Sequence, residues 1–322
     1  MQKNLEKKTV LVTGGSGFIG THLCRELVGN GHEVRVIDVE EAVDSVPGVF
    51  YERGDIRDFR HLRRLMEGTD LVYHLAARVS VPFCQENPLE SYEVNLQGTV
   101  NVLEAMRLEN SDHRSHRAPV RLVFSSSSAV YGAGASQGQK LAEESVSFQL
   151  LSLYAAQKWG SEQAIRLYRQ TYHLESVIFR YFNVYGRGQK VDSPYSGVIS
   201  TFASLLKAGR PLTLNGGGRQ TRDFVFVKDV VRACLGVMDL SSAECDGQAM
   251  NLGSGSAVSI RDLAYKMMRA AGVEVELREA PARSGDILHS LADNWMARDR
   301  LQWVPQTSLD LGLRELFFKQ PQ

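Results

Sequence analysis

The sequence predicts an α/β fold: a doubly wound parallel sheet followed by a smaller C-terminal domain. Short β-branched runs alternate with helical patterns up to Tyr185, and glycine and proline become frequent after it. Alternation of this kind implies parallel strands joined by crossover helices. The expected boundaries are residues 1–185 for the first domain, with a return segment near 224–254, and 186–322 for the second.

The elements follow in order. Thr9-Val10-Leu11-Val12-Thr13 is an apolar run closed by glycine, which predicts a buried parallel strand. Ile19, Leu23 and Leu27 follow at helical spacing, and Gly29 and Gly31 can stop that helix. Glu33 to Asp38 is the next strand, so the unit has the size of a βαβ crossover. Asp58 can cap a helix carrying Leu62, Leu65 and Met66. Strands are expected at Leu71–Leu75, Val120–Phe124 and Ser176–Phe179, with helices over about Leu89–Leu108 and from about Tyr154.

Bulk composition narrows the function classes. Formal net charge is zero, which argues against a nucleic-acid surface or an anionic membrane partner and makes any phosphate binding local. No apolar run approaches the roughly 20 residues of a membrane span. The polar start, Met1 to Lys8, does not read as a signal peptide. Cys24, Cys84, Cys234 and Cys245 show neither zinc-ligand nor redox spacing, as expected of reduced thiols in a cytoplasmic protein. His113 and His116 have helical metal-ligand spacing but sit in a polar connector with no acid or thiol cluster, so no metal is expected.

Gly14, Gly17 and Gly20 fall between the first strand and the first helix. A tight turn, close approach to a pyrophosphate and helix-on-strand packing each need one of these glycines. The helix N-terminus offers free N–H groups to phosphate. Asp38 ends the second strand, eighteen residues after Gly20. A carboxylate there accepts from a ribose 2′-hydroxyl and repels a 2′-phosphate, so a Rossmann site for NAD rather than NADP is expected. Asp55-Ile56 can contact adenine or form an Asx turn; the sequence leaves both open.

Tyr154 and Lys158 are four residues apart and share a helix face. A tyrosine must lose about three pKa units to act as a base at neutral pH, which needs roughly 4 kcal/mol of differential stabilisation. A lysine ammonium together with a nicotinamide cation is expected to supply it. Ser126, Ser127 and Ser128 are alternative hydroxyl partners at the end of a strand.

These pieces resemble the extended short-chain dehydrogenase/reductase family, and within it the NAD-dependent nucleotide-sugar epimerases of UDP-hexose 4-epimerase type. The resemblance spans nearly the whole chain. It includes His74-Leu75-Ala76-Ala77, Asn95, Phe124 to Gly132, Arg180 to Gly186, Gln220 to Val225 and Arg283 to Asp286. It implies that Ser127 is the hydroxyl partner beside catalytic Tyr154 and Lys158. It implies that NAD is contacted by Gly14, Gly17, Phe18, Ile19, Gly20, Asp38, Asp55, Ile56, Leu75, Ala76, Ala77, Asn95, Ser125 and Tyr181, as well as Tyr154 and Lys158. For the nucleotide sugar it implies Ser80, Ser127, Ser128, Asn183 and Val198, with Arg222 and Arg283 on the pyrophosphate and Asp286 beside them. A small residue at Ser290 implies that N-acetylated sugars can enter. The resemblance further implies a homodimer formed through two helices per subunit.

Reaction type is narrower. Related 4,6-dehydratases carry an Asp-Glu pair where this chain has Ser128 and Ala129, and related glucuronate decarboxylases keep a glutamate at the second position. Both acids are missing here, so 4-epimerisation through a transient 4-keto sugar is the expected reaction. A dehydratase, decarboxylase or reductase is the rival enzyme, and a non-catalytic NAD(H)-responsive protein the rival of another class.

Overall fold

The computed structural model describes residues 6–112, 118–147, 149–191, 197–282 and 287–318. Contacts gather the chain into two compact units. The first comprises Met1–Ser127, Ser152–Arg180 and Cys234–Met250; the second comprises Ser128–Leu151, Tyr181–Ala233 and Asn251–Gln322.

In the first unit the strands are β1 (Thr9–Thr13), β2 (Glu33–Asp38), β3 (Val49–Arg53), β4 (Leu71–His74), β5 (Arg121–Ser127) and β6 (Glu175–Tyr181). Two three-residue to four-residue strands of the second unit, β7 (Asn183–Tyr185) and β8 (Leu212–Asn215), then β9 (Thr221–Phe226), precede β10 (Asp246–Leu252), which returns to the large sheet. The seven strands lie in the order β10-β6-β5-β4-β1-β2-β3. β1 is parallel to β2 and to β4, with Val10 opposite both Val34 and Leu71. The β2–β3 and β4–β5 ladders are parallel too. Burial on both faces explains why β1 is continuously apolar: Val10, Leu11 and Val12 are fully inaccessible.

Strand order reverses between β1 and β4, so the carboxyl ends of these two strands flank a topological switch point, where ligands bind in open α/β sheets. The helices of this unit are α1 (Phe18–Gly29), α2 (Phe59–Met66), α3 (Val81–Glu86), α4 (Pro88–Tyr92), α5 (Gly98–Asp112) and α6 (Leu153–Tyr172). Ser152 caps α6 by accepting from the Ala155 N–H, which sets Tyr154 in the first helical turn. Leu62, Met66, Val102 and Met106 pack with Leu11, Leu122 and Ile178 in one buried core.

The second unit has its own core, in which Phe202 and Leu206 meet Leu212, Phe224, Leu263 and Met267. Its sheets are β11 (Ala257–Ser259), β9 and β7, in that order, and a parallel pair of β8 with β12 (Leu277–Ala280). Its helices are α7 (Val198–Lys207), α8 (Val227–Gly236, continuing into the first unit), α9 (Ile260–Ala271), α10 (Trp295–Leu301) and α11 (Leu309–Phe317).

Three local features differ from the sequence expectations. β3, which the sequence pattern did not announce, pairs with β2 at the sheet edge. The helix expected over Leu89–Leu108 begins at Pro88 and passes through a wider π turn at Glu93–Gln97 before α5. Ser125, Ser126 and Ser127 lie inside β5 instead of beyond it. Contacts gather 128–151 with the second unit and 234–250 with the first, beside an expected boundary at 185 with a return segment near 224–254.

Candidate active site

Gly14 turns the chain out of β1 at φ +74°, a left-handed conformation. A Cβ built there would come within 2.6 Å of the Ala76 backbone nitrogen, so the turn lies directly against the chain leaving β4. Gly20 is packed as closely: its Cβ would meet the Gly14 carbonyl oxygen at 2.5 Å. Between them Gly17 begins α1 with no side-chain cap and no acid in the first turn. The N–H groups of that turn are therefore open to an anion at the positive end of the helix dipole. A dinucleotide pyrophosphate fits this donor set, with Phe18 and Ile19 in the same turn.

Asp38 lies at the end of β2. Its two oxygens accept from the Ser16 and Glu40 N–H groups, both at 3.0 Å, and each keeps a lone pair for a ribose hydroxyl. Asp55 is more fully engaged. It accepts from the Arg57 backbone N–H at 2.8 Å and from the Arg57 guanidinium at 2.7 and 3.0 Å, so the Asx turn is present. The Ile56 side chain is 4% exposed and belongs to the core, which leaves only its backbone for a cofactor. Leu75 and Ala76 extend the switch point: their N–H groups donate to the Thr13 carbonyl and hydroxyl; Ala77 follows, half-buried. Asn95, in the π turn, spends both amide hydrogens inside the protein, on Arg78 O at 3.0 Å and Gln157 Oε1 at 2.7 Å, and accepts from the Arg78 N–H. It braces the chain after β4 against α6.

Tyr154 and Lys158 both face β5. Lys158 Nζ donates to the Ser125 carbonyl at 2.7 Å and lies 4.8 Å from the Phe124 ring centre and 6.0 Å from that of Tyr154. The Tyr154 side chain is hydrogen-bonded to that of Ser127. The alternative partner Ser126 is occupied elsewhere, donating to Glu162 Oε1 at 2.6 Å. Alternation along the strand points Ser126 away from its neighbours. Burial pushes the Tyr154 hydroxyl up to about 12, the Ser127 bond opposing it. Burial pushes Lys158 down to about 8, with Glu162 opposing. In the protein alone desolvation dominates the phenol, the Ser127 bond opposes it, and the lowering expected from Lys158 is not seen.

Glu162 was not among the expected site residues, and His74 and Arg180 entered only as parts of the resemblance. His74 bridges Thr13 Oγ1 at 2.7 Å and Thr99 Oγ1 at 3.0 Å, and is held neutral, near 3, first by burial and then by the Lys158 charge. Glu162 and Arg180 are buried together. The signal available was an acid one turn beyond Lys158 on a helix stripe that is otherwise buried.

The residues expected at the nucleotide sugar are distributed between the units. In the first, Ser80 caps α3 by accepting from the Phe83 N–H. In the second, Ser128 follows β5, Asn183 opens β7 opposite Phe224, and Val198 begins α7; Tyr181, expected at NAD, ends β6 and is buried. One Arg222 nitrogen donates to the Thr221 and Ile287 carbonyls at 2.9 and 2.6 Å. Ser290 is 6% exposed and its N–H donates to the Thr221 carbonyl. Asp223 organises this region: its carboxylate accepts from the Ser254, Gly255 and Ala292 N–H groups and from the Ser254 hydroxyl. Arg283 and Asp286 lie outside the described residues, as do His113 and His116. Among the described residues no group of His, Cys, Asp and Glu could hold a metal ion, and no helix is long and apolar enough to cross a membrane.

The chain is similar to known proteins over most of its length. The UDP-glucose 4-epimerase of Mycolicibacterium smegmatis is 34% identical over 315 residues, covering 94% of this chain and 95% of the relative. A UDP-N-acetyl-α-D-glucosaminuronate decarboxylase of Bacillus cytotoxicus is 30% identical over 330 residues, covering 96% of each. The crystal structure of Thermus thermophilus UDP-glucose 4-epimerase in complex with NAD superposes with a TM-score of 0.85 at 32% identity, over 96% of this chain and 97% of that one. Residues 10–253 match the model of the NAD dependent epimerase/dehydratase family, which spans the glycine turn, the serine strand and the Tyr154–Lys158 helix, and the chain belongs to that family.

Proposed function

We propose that this protein catalyses NAD-dependent 4-epimerisation of a UDP-sugar through a transient 4-keto sugar. The observation that carries the reading is the Ser127–Tyr154–Lys158 set at the carboxyl end of β5, in the unit that holds the glycine turn. Tyr154 takes the proton from the sugar O4 and later gives it back. Ser127 donates to the same oxygen as charge develops on it. Bound NAD supplies the hydride acceptor for C4, the return of that hydride to the 4-keto sugar, and a second positive charge near the phenol.

Magnitudes support the need for two cations. Bringing a phenol from about 12 to neutral pH takes roughly 7 kcal/mol. Lys158 Nζ lies 6.0 Å from the Tyr154 ring centre, and one charge at about that separation is worth about 3 kcal/mol at an effective dielectric of about 20. The lysine alone falls short, so the tyrosine becomes a base only in the loaded enzyme. Gly14, Gly17, Phe18, Ile19 and Gly20 would hold the pyrophosphate, and Asp38 the adenosine ribose. On the sugar side we assign Asn183, Arg222 and Arg283 to the diphosphate. Ser290, small and nearly buried, favours entry of UDP-N-acetylglucosamine beside UDP-glucose.

The test is Tyr154→Phe assayed on UDP-galactose and UDP-N-acetylgalactosamine, with the C4 epimers separated by chromatography. The expected outcome is a loss of kcat by about three orders of magnitude with nucleotide binding unchanged; near-full activity would sink the reading. The decarboxylase relative favours one second reading. It predicts carbon dioxide release from a UDP-sugar acid, and the absence of an acid at Ser128 and Ala129 weighs against it. A homodimer and a cytoplasmic location belong to the same proposal, the latter supported by four buried free cysteines.

A further inference from the structure

Glu162 and Arg180 form an ion pair whose side chains are 0% and 1% exposed. Arg180 Nε and Nη2 donate to the two carboxylate oxygens at 2.9 and 2.7 Å. Arg166 adds a bond at 3.2 Å, and the Trp159 ring lies beside both guanidinium groups. Such a pair rarely repays its desolvation, and apolar residues of equal volume often serve stability as well or better. Its location suggests another use. A further donor to Glu162 is the Ser126 hydroxyl, at 2.6 Å. Ser126 separates Ser125, whose carbonyl holds Lys158, from Ser127, which bonds Tyr154. Tyr154, Lys158 and Glu162 follow one another by single turns of α6, so they share a stripe.

We propose that Glu162, clamped by Arg180, is a positioning residue for proton transfer: through Ser126 it fixes the end of β5 against α6 and sets the Ser127–Tyr154–Lys158 geometry. The proposal rests on the epimerase reading above. A charge effect accompanies it. The Glu162 carboxylate helps Lys158 keep its proton against the desolvation that lowers it. The other groups facing Lys158 are Tyr154 on α6, neutral His74 on β4, the Cys84 thiol on α3, and the Ser125 carbonyl and Phe124 ring on β5. Removing the carboxylate therefore lowers the Lys158 pKa, and activity that needs the ammonium is lost at a lower pH.

The experiment compares the NAD-loaded full chain with Glu162→Gln, Ser126→Ala and Tyr154→Phe, measuring kcat and KM for UDP-galactose from about pH 6 to about pH 10. For Glu162→Gln, kcat falls about tenfold, KM stays within about twofold, and the alkaline fall in kcat moves about half a unit to one unit lower. Ser126→Ala keeps the ion pair, so kcat falls about three- to tenfold and the alkaline limb stays in place. If Glu162→Gln does not fold, Ser126→Ala decides alone. Wild-type kcat in Ser126→Ala, or Glu162 variants that lose only thermal stability, would overturn the proposal. Tyr154→Phe separates the two levels. Near-full activity there defeats the underlying reading, whereas an inactive Tyr154→Phe beside an unaffected Ser126→Ala defeats only the role given to Glu162.

Discussion

Asp38 holds two backbone N–H groups and is drawn in opposite directions: burial raises its pKa, and the bonds from Glu40 and Ser16 lower it. Its charge is what would repel a 2′-phosphate. Asp38→Asn keeps the shape and removes the charge. NAD is expected to bind about tenfold more weakly and the preference over NADP to shrink by at least that factor, about 1.4 kcal/mol, in titration calorimetry. An undiminished preference would point to other groups. Gly14→Ala tests the turn itself. A side chain at φ +74° with the Ala76 nitrogen 2.6 Å away forces β1 and β4 apart, and a stability loss of about 3 kcal/mol with loss of NAD binding is expected in denaturant titrations. These residues were readable because each answers a local demand of chain geometry or chemistry. Arg180 was legible only as part of a run, and Glu162 only as an acid one turn beyond Lys158. Their meaning lies in a contact across eighteen positions that no local pattern encodes.

Elements were legible where both faces are buried. β1 is built on Val10-Leu11-Val12 and β4 on Leu71-Val72-Tyr73, all buried, so their runs announce them. β3 is a half-exposed edge strand, Val-Phe-Tyr-Glu-Arg, and carries neither a continuous run nor a clean alternation. The π turn at Glu93–Gln97 was equally hidden, since one extra residue per turn leaves apolar spacing nearly intact. It carries the Asn95 carbonyl, which accepts from Thr99 at 2.7 Å, and Thr99 in turn contacts His74. His74 thereby joins β1, β4 and α5, and its charge state governs how these elements respond to acid. Its folded pKa, about 3, is below the unfolded 6.5. The unfolded chain takes up a proton that the folded chain refuses, so stability is full above 6.5 and is lost as pH falls toward 3. The slope is about 1.4 kcal/mol per pH unit from this group. In His74→Gln the dependence of unfolding free energy on pH between about 6 and about 4 is expected to flatten by one proton, at a cost of about 1–2 kcal/mol near neutrality. Urea titrations at several pH values measure both, and an unchanged slope would mean that His74 is not buried as a neutral ring.

At the scale of the molecule, the change in glycine and proline usage after Tyr185 marked the second unit but could not reveal that 128–151 belongs to it. The contacts responsible are remote: Tyr131 bonds Asn251, 120 positions away, and the Leu141 N–H donates to the Leu291 carbonyl. Assembly lies further still from local pattern, yet α6 offers a specific test. Ala156, Gly160, Gln163 and Leu167 recur at spacings of four, three and four, so they line one helix face. Small residues at the first two positions permit close helix approach, and Leu167 is 60% exposed. An exposed leucine at the end of a small-residue face suits the proposed homodimer, in which α5 and α6 would be the two helices that each subunit contributes. Leu167→Glu would bury an unpaired carboxylate in that contact, which costs several kcal/mol in a two-fold interface that meets it twice. Light scattering on the wild type is expected to give about twice the 35.8 kDa chain mass, and the variant to give a single chain mass at micromolar concentration. Secondary structure by circular dichroism should be unchanged, because Leu167 is not part of the core. A wild-type protein that ran as one chain would remove the homodimer from the proposal and leave the chemistry of Tyr154 untouched, since Ser127, Lys158 and the glycine turn all come from the same subunit.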